Sequence, residues 1–226
     1  MDARLRTLQW YTALLEVNRT AVTESGLSEI FSGVCTAVRT VMPFDRAGLS
    51  LYTPEMDALK LVAHDGCGPD SFYRIGVRFD CKESHHGWVF EHRRPIVRRD
   101  LEREVEFQVE QHNITEGIRS YCAVPMIVRK ESIGVIIMLS SQKNRYSERH
   151  AEFLQQVSDQ VVLAVRSLMP FCIKHLRTRM LCPRCIASGG GQATAARYKE
   201  QLSGWGKQGG RGRKKPPGGL TGGVLE

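Results

Sequence analysis

Residues 117–141 are GIRSYCAVPMIVRKESIGVIIMLSS, the most apolar stretch around a short polar turn in the chain. Two apolar runs, Ser120 to Val128 and Ile133 to Leu139, flank the polar turn Arg129-Lys130-Glu131-Ser132. Paired runs around a short polar turn predict two neighbouring antiparallel strands. The second run, Ile-Gly-Val-Ile-Ile-Met-Leu, shows no polar alternation, which predicts a central strand covered on both faces. Gly134 inside it predicts close backbone packing or a bend.

Upstream, Ala47, Leu49 and Leu51 alternate with Gly48, Ser50 and Tyr52. A turn segment at Thr53–Asp57 follows, and Leu59, Leu61 and Ala63 alternate again, which predicts a β-hairpin. A glycine-punctuated stretch runs from Gly66 to Phe79. Ser84 is placed to cap a short helix carrying Trp88 and Phe90, and Pro95 to Arg98 reads as a short strand. Residues 101–116 are polar and carry no period that assigns them. Helices bracket the strands. Leu5, Leu8, Tyr11, Leu15 and Val22 recur at three-to-four-residue steps, predicting an amphipathic helix over 3–22. Leu27, Ile30, Phe31, Val34, Val38 and Val41 predict a second over 27–42, with Ser25 as N-cap and Pro43 past its end. Ser147 caps a third, whose stripe is Phe153, Leu154, Val157, Val161, Ala164, Val165 and Leu168, ending at Pro170. The order α-α-β-β-(α)-β-β-β-α with an antiparallel sheet is an α+β class.

The whole chain has 226 residues, 42% hydrophobic and 25% charged, the balance of a globular protein. Its net charge of +8 is unevenly placed. Residues 171–226 hold eleven Lys/Arg against two Asp/Glu, which leaves 21 against 22 in residues 1–170. No apolar run reaches membrane-spanning length, and Met-Asp-Ala-Arg-Leu-Arg is not a secretory leader. Seven cysteines at scattered spacing do not form a disulfide framework, so the expected location is cytoplasmic, with reduced thiols and no membrane partner.

The segments MPFDRAGLSLYTPEMDALKLVAHDG, GWVFEHRRPIVRRDL, GIRSYCAVPMIVRKESIGVIIMLSS and RYSERHAEFLQQVSDQVVLAV together resemble a GAF domain. They are similar to the GAF sensor domains that precede the ATPase in bacterial enhancer-binding transcription activators. The likeness spans about residues 5–168 and rests on an ordered set: Phe-Asp-Arg entering a strand, Gly-Trp-Val, Pro-Ile-Val followed by Asp, Gly-Ile-Arg-Ser, Val-Pro-Met and Ile-Gly-Val. The resemblance implies a six-stranded antiparallel sheet with terminal helices on one face and a ligand pocket against the other. It implies small-molecule binding (cyclic nucleotides, formate, 2-oxoacids, bilins or haem across the family) and dimerisation through the terminal helices. The Cys-His dipeptide of bilin attachment is absent, although Cys81 and His85 lie nearby, and so is the Asn-Lys-Phe-Asp-Glu motif of cyclic-nucleotide phosphodiesterases.

On this reading residues 1–170 are a GAF sensory domain. The ligand-binding candidates are Phe79, Trp88 and Phe90 as apolar walls, with Arg98, Asp100, Arg119, Ser120 and Cys122 beside them. An arginine there favours an anion, because its planar fork matches a carboxylate or phosphate. The alternative is structural: Trp88 in the core, and Arg98 or Arg119 paired with Asp100 or Glu116. No catalytic set is expected, since Cys122 on an apolar strand reads as a small core residue rather than a partner of His85 or His86. Residues 171–188 offer Cys172, His175, Cys182 and Cys185 as ligands for zinc, against free thiols or a zinc shared with a second chain. Residues 189–226 form a Gly-rich basic tail, weakly similar to the KGG-type motif of bacterial stress proteins and expected to be largely disordered. There Arg197, Lys199, Trp205, Lys207, Arg211, Arg213, Lys214 and Lys215 suit nucleic-acid phosphate and base stacking, or an acidic protein surface. The expected protein is a bacterial, non-enzymatic regulator whose homodimeric GAF domain senses a small molecule and whose tail meets nucleic acid or a partner. The alternatives are a redox enzyme of the free methionine sulfoxide reductase type, using Cys81 and Cys122, and a ligand-free dimerisation scaffold.

Overall fold

The computed structural model describes residues 3–24, 26–54 and 56–168. The expected zinc ligands and the basic tail lie outside the described residues, as does Ser25. Two helices, α1 (Ala3–Thr23) and α2 (Leu27–Arg39), lead into the hairpin β1 (Arg46–Thr53) and β2 (Ala58–Asp65). Then come β3 (Arg78–Asp80), α3 (His85–His92), β4 (Ile96–Arg98) and α4 (Glu110–Thr115). The chain closes with β5 (Ser120–Val128), β6 (Glu131–Ser140) and α5 (Glu148–Leu168). The strands form one antiparallel sheet in the order β3-β2-β1-β6-β5-β4.

The strand β6 is central, and its residues from Ser132 to Ser140 are all buried. Its alternation feeds two unlike cores. Ile136 and Met138 join Leu49, Leu51, Cys122 and Val124 beneath α1, α2 and α5. Val135, Ile137 and Leu139 join Tyr121, Ala123, Leu59 and Leu61 on the opposite face, under α3 and the connecting segments. The long helix α5 lays Phe153, Leu154, Val157, Val161 and Val165 on the first face, each no more than 0% exposed. Burying a side chain of this size contributes about 1.5–3 kcal/mol.

Three expectations change. The apolar stripe read along α1 faces outward: Leu5, Leu8, Tyr11, Leu15 and Val22 are 55–79% exposed. A second stripe, on the opposite side of the helix, is the packed one: Trp10, Ala13, Leu14, Val17, Thr20 and Ala21. Both stripes have helical spacing, so the period alone does not say which of them α2 and α5 cover. Second, Leu59, Leu61 and Ala63 do not share a face. The register of β1 and β2 slips between Leu49 and Ser50, so that Leu49 pairs with Ala63 and Ser50 with Leu61. The bulge at Val62 sends Leu59 and Leu61 to the second core and Ala63 to the first. Third, the unassigned segments hold β3 and α4, both short, and α2 starts after Gly26 with no side-chain cap bond.

Gly134 is required by sterics. A Cβ there would lie 2.3 Å from the Ser50 carbonyl oxygen, which belongs to the neighbouring strand's backbone and cannot swing aside. Gly134→Ala should lower unfolding stability by about 3 kcal/mol in urea titration, the upper range for overpacking. Gly68→Ala, where nothing lies within 4 Å of the added carbon, should change it by less than about 0.5 kcal/mol.

Candidate functional site

The second face of the sheet carries the chemistry. Ser84 starts α3 as expected: its Oγ accepts a hydrogen bond from the Gly87 amide at 3.0 Å and donates to the Asp80 carbonyl at 2.6 Å. This cap drives the first two residues of the helix, His85 and His86, onto the sheet, and both are 0% exposed. His86 stacks on Phe79 with ring centres 3.9 Å apart and planes 3° from parallel. His85 lies 4.6 Å from His86 and 4.9 Å from Tyr121, centre to centre. Burial holds both imidazoles neutral; it pushes His85 down to about 3, with Arg98 adding to the shift, and His86 well below its ordinary range.

Tyr121 donates to the carboxylate of Glu110 at 2.5 Å. Glu110 is fully buried in the first turn of α4, and it also accepts the amides of Glu106 (2.8 Å) and Phe107 (2.9 Å) and the Arg98 Nε (3.5 Å). Four donors on one carboxylate offset the cost of burying it. The segment before α4 is thereby pinned over β5.

A small cavity of about 10 Å³, room for about one water molecule, lies beside the histidines. Its wall includes Arg46, His64, Cys67, Tyr73 and His86, with Leu61, Ile137 and Leu139 at its apolar end. Glu116 closes this side. It accepts Ser71 Oγ at 2.7 Å and the Phe72 amide at 2.6 Å and pairs with Arg46. Burial pushes its carboxyl upward, but the Phe72, Ser71 and Arg46 interactions outweigh that and hold it below the ordinary range.

Within this face, Ser50 Oγ, His64 Nδ1, the Tyr73 hydroxyl, both nitrogens of His85 and His86, and both amide atoms of Asn113 are buried, and no hydrogen bond to another described residue reaches them. Each such atom left unmatched costs about 1–3 kcal/mol. Nine of them would cost roughly as much as the entire net stability of a domain, about 5–15 kcal/mol.

The sequence-named residues divide. Phe79 and Phe90 are 1% and 0% exposed on this face, Phe90 stacked on Tyr52 at 4.7 Å. Trp88 is partly buried against the same core and stacks on His92 at 4.3 Å. Ser120 and Cys122 are not on this face: strand alternation turns them to the helix side, where Ser120 Oγ donates to the Gln142 carbonyl at 2.6 Å and burial pushes the Cys122 thiol far up. The charged candidates are already matched. Arg98 is held by Glu106 and Glu110, and Arg119 lies 3.2 Å from Glu102 and donates to the Ile114 and Ile118 carbonyls. Asp100 meets Lys143 at 2.9 Å and Arg103 at 3.5 Å. Arg98 and Arg119 are thus each paired with a carboxylate of the same chain. Sequence reasoning missed Tyr73, Glu110 and Asn113, which sit in the stretches without a period. The adjacent pair His85-His86, directly after a capping serine, was the available signal.

Among the described residues no group of three or more His, Cys, Asp or Glu is arranged to hold a metal ion. No helix among them is long and apolar enough to cross a membrane.

No curated protein sequence matches the chain. The fold does have relatives among solved structures. The GAF domain of a phosphoenolpyruvate-protein phosphotransferase from Coxiella burnetii superposes with a TM-score of 0.63 at 16% identity, over 71% of this chain and 94% of that one. A free methionine-R-sulfoxide reductase from Neisseria meningitidis, solved with its substrate, gives 0.62 at 14% identity over 74% and 94%. A phycoerythrobilin-bound GAF domain from a cyanobacterial phytochrome gives 0.57 at 14% identity over 72% and 97%. Residues 26–165 match the GAF domain family itself, and with the sheet order and the helix-covered face described above, the chain belongs to that family.

Proposed function

We propose that this GAF domain is a non-enzymatic regulatory module that binds a small, uncharged, hydrogen-bonding molecule at the His85–His86 face. The observation that carries the reading is the set of buried polar atoms on that face which no described residue satisfies. They include hydroxyls, a carboxamide and the imidazoles of His85 and His86, which burial holds neutral. Of the neighbouring charges, Arg98 is paired with the buried Glu110 and Arg46 with Glu116, while Glu106, the second partner of Arg98, is largely exposed. A ligand bearing net charge would bring an uncompensated charge into this site, at a cost of several kcal/mol; a neutral donor–acceptor molecule brings none. The enzymatic alternative is the activity carried by the Neisseria reductase. It is disfavoured because a thiolate is the reactive form of cysteine, and Cys122 is buried on the far face with its thiol pushed up.

The module acts as a homodimer in this reading. Leu8, Leu15 and Val22 are exposed at exact seven-residue steps on α1, with Tyr11 one half-step on, the spacing of a coiled-coil seam. Leu163 on α5 is 67% exposed as well. A second copy covering these residues would link the sheet to the segment after α5, whose basic residues contact nucleic acid or an acidic protein partner. A ligand then regulates by binding one arrangement of the helices more tightly than another.

Native mass spectrometry of the full chain tests the site. Wild type should carry a small-molecule adduct that leaves on denaturation. His86→Phe keeps the stack on Phe79, removes two unmatched nitrogens, and should fold normally while losing adduct occupancy at least about ten-fold, the value of one good hydrogen bond. A wild-type chain with no adduct, and no thermal shift across a panel of neutral metabolites, overturns the reading.

Acid should unfold the domain through the same residues. The unfolded chain's histidines take up protons below about pH 6.5, while the buried pair does not, so stability present above pH 6.5 is lost as pH falls. Each histidine contributes a slope of about 1.4 kcal/mol per pH unit between pH 6 and 4.5, above the range where carboxylates take over. Urea midpoints at pH 7, 6 and 5 should show this slope, and His86→Phe should reduce it by about half.

Light scattering tests the dimer. The full chain should run as a dimer at micromolar concentration, and Leu8→Glu with Leu15→Glu should run as a folded monomer. A monomeric wild type refutes it.

A further inference from the structure

We propose that residues 67–75 form a flap over the pocket, hinged at Gly66 and Gly76 and latched by Glu116, and that small molecules reach the buried histidines by its opening. The proposal rests on the reading of this face as a small-molecule site, and it adds the route and the residue that controls it.

The geometry has four parts. The first is the hinges. Gly66 and Gly76 have φ of +75° and +96°, a conformation that favours glycine, and they stand at the two ends of the segment. The second is the cargo. The segment carries Cys67 and Tyr73, both of which form the cavity wall, so its displacement uncovers His86 directly. The third is how the segment is attached. Its C-terminal end is tied to β2 by two backbone bonds, Gly76 to Leu61 and Leu61 to Val77, both 2.8 Å, whereas between Gly68 and Tyr73 the backbone–backbone bond, Ser71 to Gly68 at 3.2 Å, stays within the segment and Tyr73 is held by side-chain packing. The fourth is the latch. Glu116, at the end of α4, takes Ser71 Oγ and the Phe72 amide from the flap and Arg46 from β1, so one carboxylate joins three separate stretches of chain. Phe72 adds a parallel stack on His112 of α4, 4.0 Å between centres. Charge-assisted bonds from Glu116 are the strongest of these contacts, and they are made at the surface rim of the pocket rather than within it. Glu116 is therefore a positioning residue: it holds the wall without lining the cavity.

Cys67 reports the opening without any ligand. It is half-buried on the flap, whereas Cys35 and Cys122 are fully buried in the opposite core and react only if the domain unfolds. The full native chain is treated with N-ethylmaleimide, and labelling of each cysteine is followed by peptide mass spectrometry. Glu116→Gln keeps the shape but loses the charge, and should raise the Cys67 rate about ten-fold with Cys35 and Cys122 unchanged. Ser71→Ala removes one latch bond and should raise it by a smaller factor, about three-fold. Unchanged Cys67 labelling in both variants, or a parallel rise at Cys35 and Cys122, overturns the flap. The two readings fail separately. A faster Cys67 in a chain that binds no small molecule keeps the flap and removes the sensing function. An adduct in wild type with Cys67 indifferent to Glu116 keeps the pocket and removes the flap.

Discussion

At Gly134 the backbone of β6 comes so close to the Ser50 carbonyl that no side chain fits between them. That contact seats β6 against β1, while β5 pairs along its other edge over almost its full length. A strand enclosed in this way has no solvent face. Every residue along it must be given to one of two interiors, and the rest of the molecule supplies those interiors. On one side α1, α2 and α5 deliver mainly apolar groups, aromatic as well as aliphatic. On the other, short elements deliver histidines, a tyrosine, an asparagine and a buried glutamate. The same sheet thus has a mechanical side and a chemical side.

The chemical side keeps its charges in balance. Glu110 would be prohibitive where it sits without Tyr121, Arg98 and the two amides that feed it, and Arg98 in turn draws on Glu106. What this matching leaves without a partner among the described residues is a set of hydroxyl, imidazole and carboxamide atoms.

Much of the scaffold was legible in residues 117–141 and in the stripe of α5, because strands buried on both faces and helices packed on one have distinct periods. The failures have physical causes. On α1 two stripes of helical spacing compete, and the period alone does not tell which one the other helices cover; it is Ala13, Leu14 and Val17, with Trp10 against Phe153, that are packed. In β2 a single bulged residue inverts the alternation, which no pattern of apolar residues announces. Glu110 lies in a helix of six residues and Tyr73 in the loop between β2 and β3, neither of which shows a period, and their roles come from contacts distant in the chain. Ser120 and Cys122 were legible as strand residues but not by face. Only the neighbouring Tyr121, whose ring meets His85, tells which side is which.

The bulge at Val62 has a consequence for how such a chain can vary. Val62 is the residue the ladder passes over, Leu49 pairing with Ala63 and Ser50 with Leu61. Its deletion would close the bulge and leave those pairings, and the faces of Leu59, Leu61 and Ala63, as they are. Taking Val62 into a regular ladder would instead turn the first half of β2 over, presenting Lys60 to the pocket and the two leucines to the helices, with β3 carried along by its pairing to Ala58, Leu59 and Lys60. Descendants of this sequence are therefore free to change position 62, or to lose it, but not to pair it.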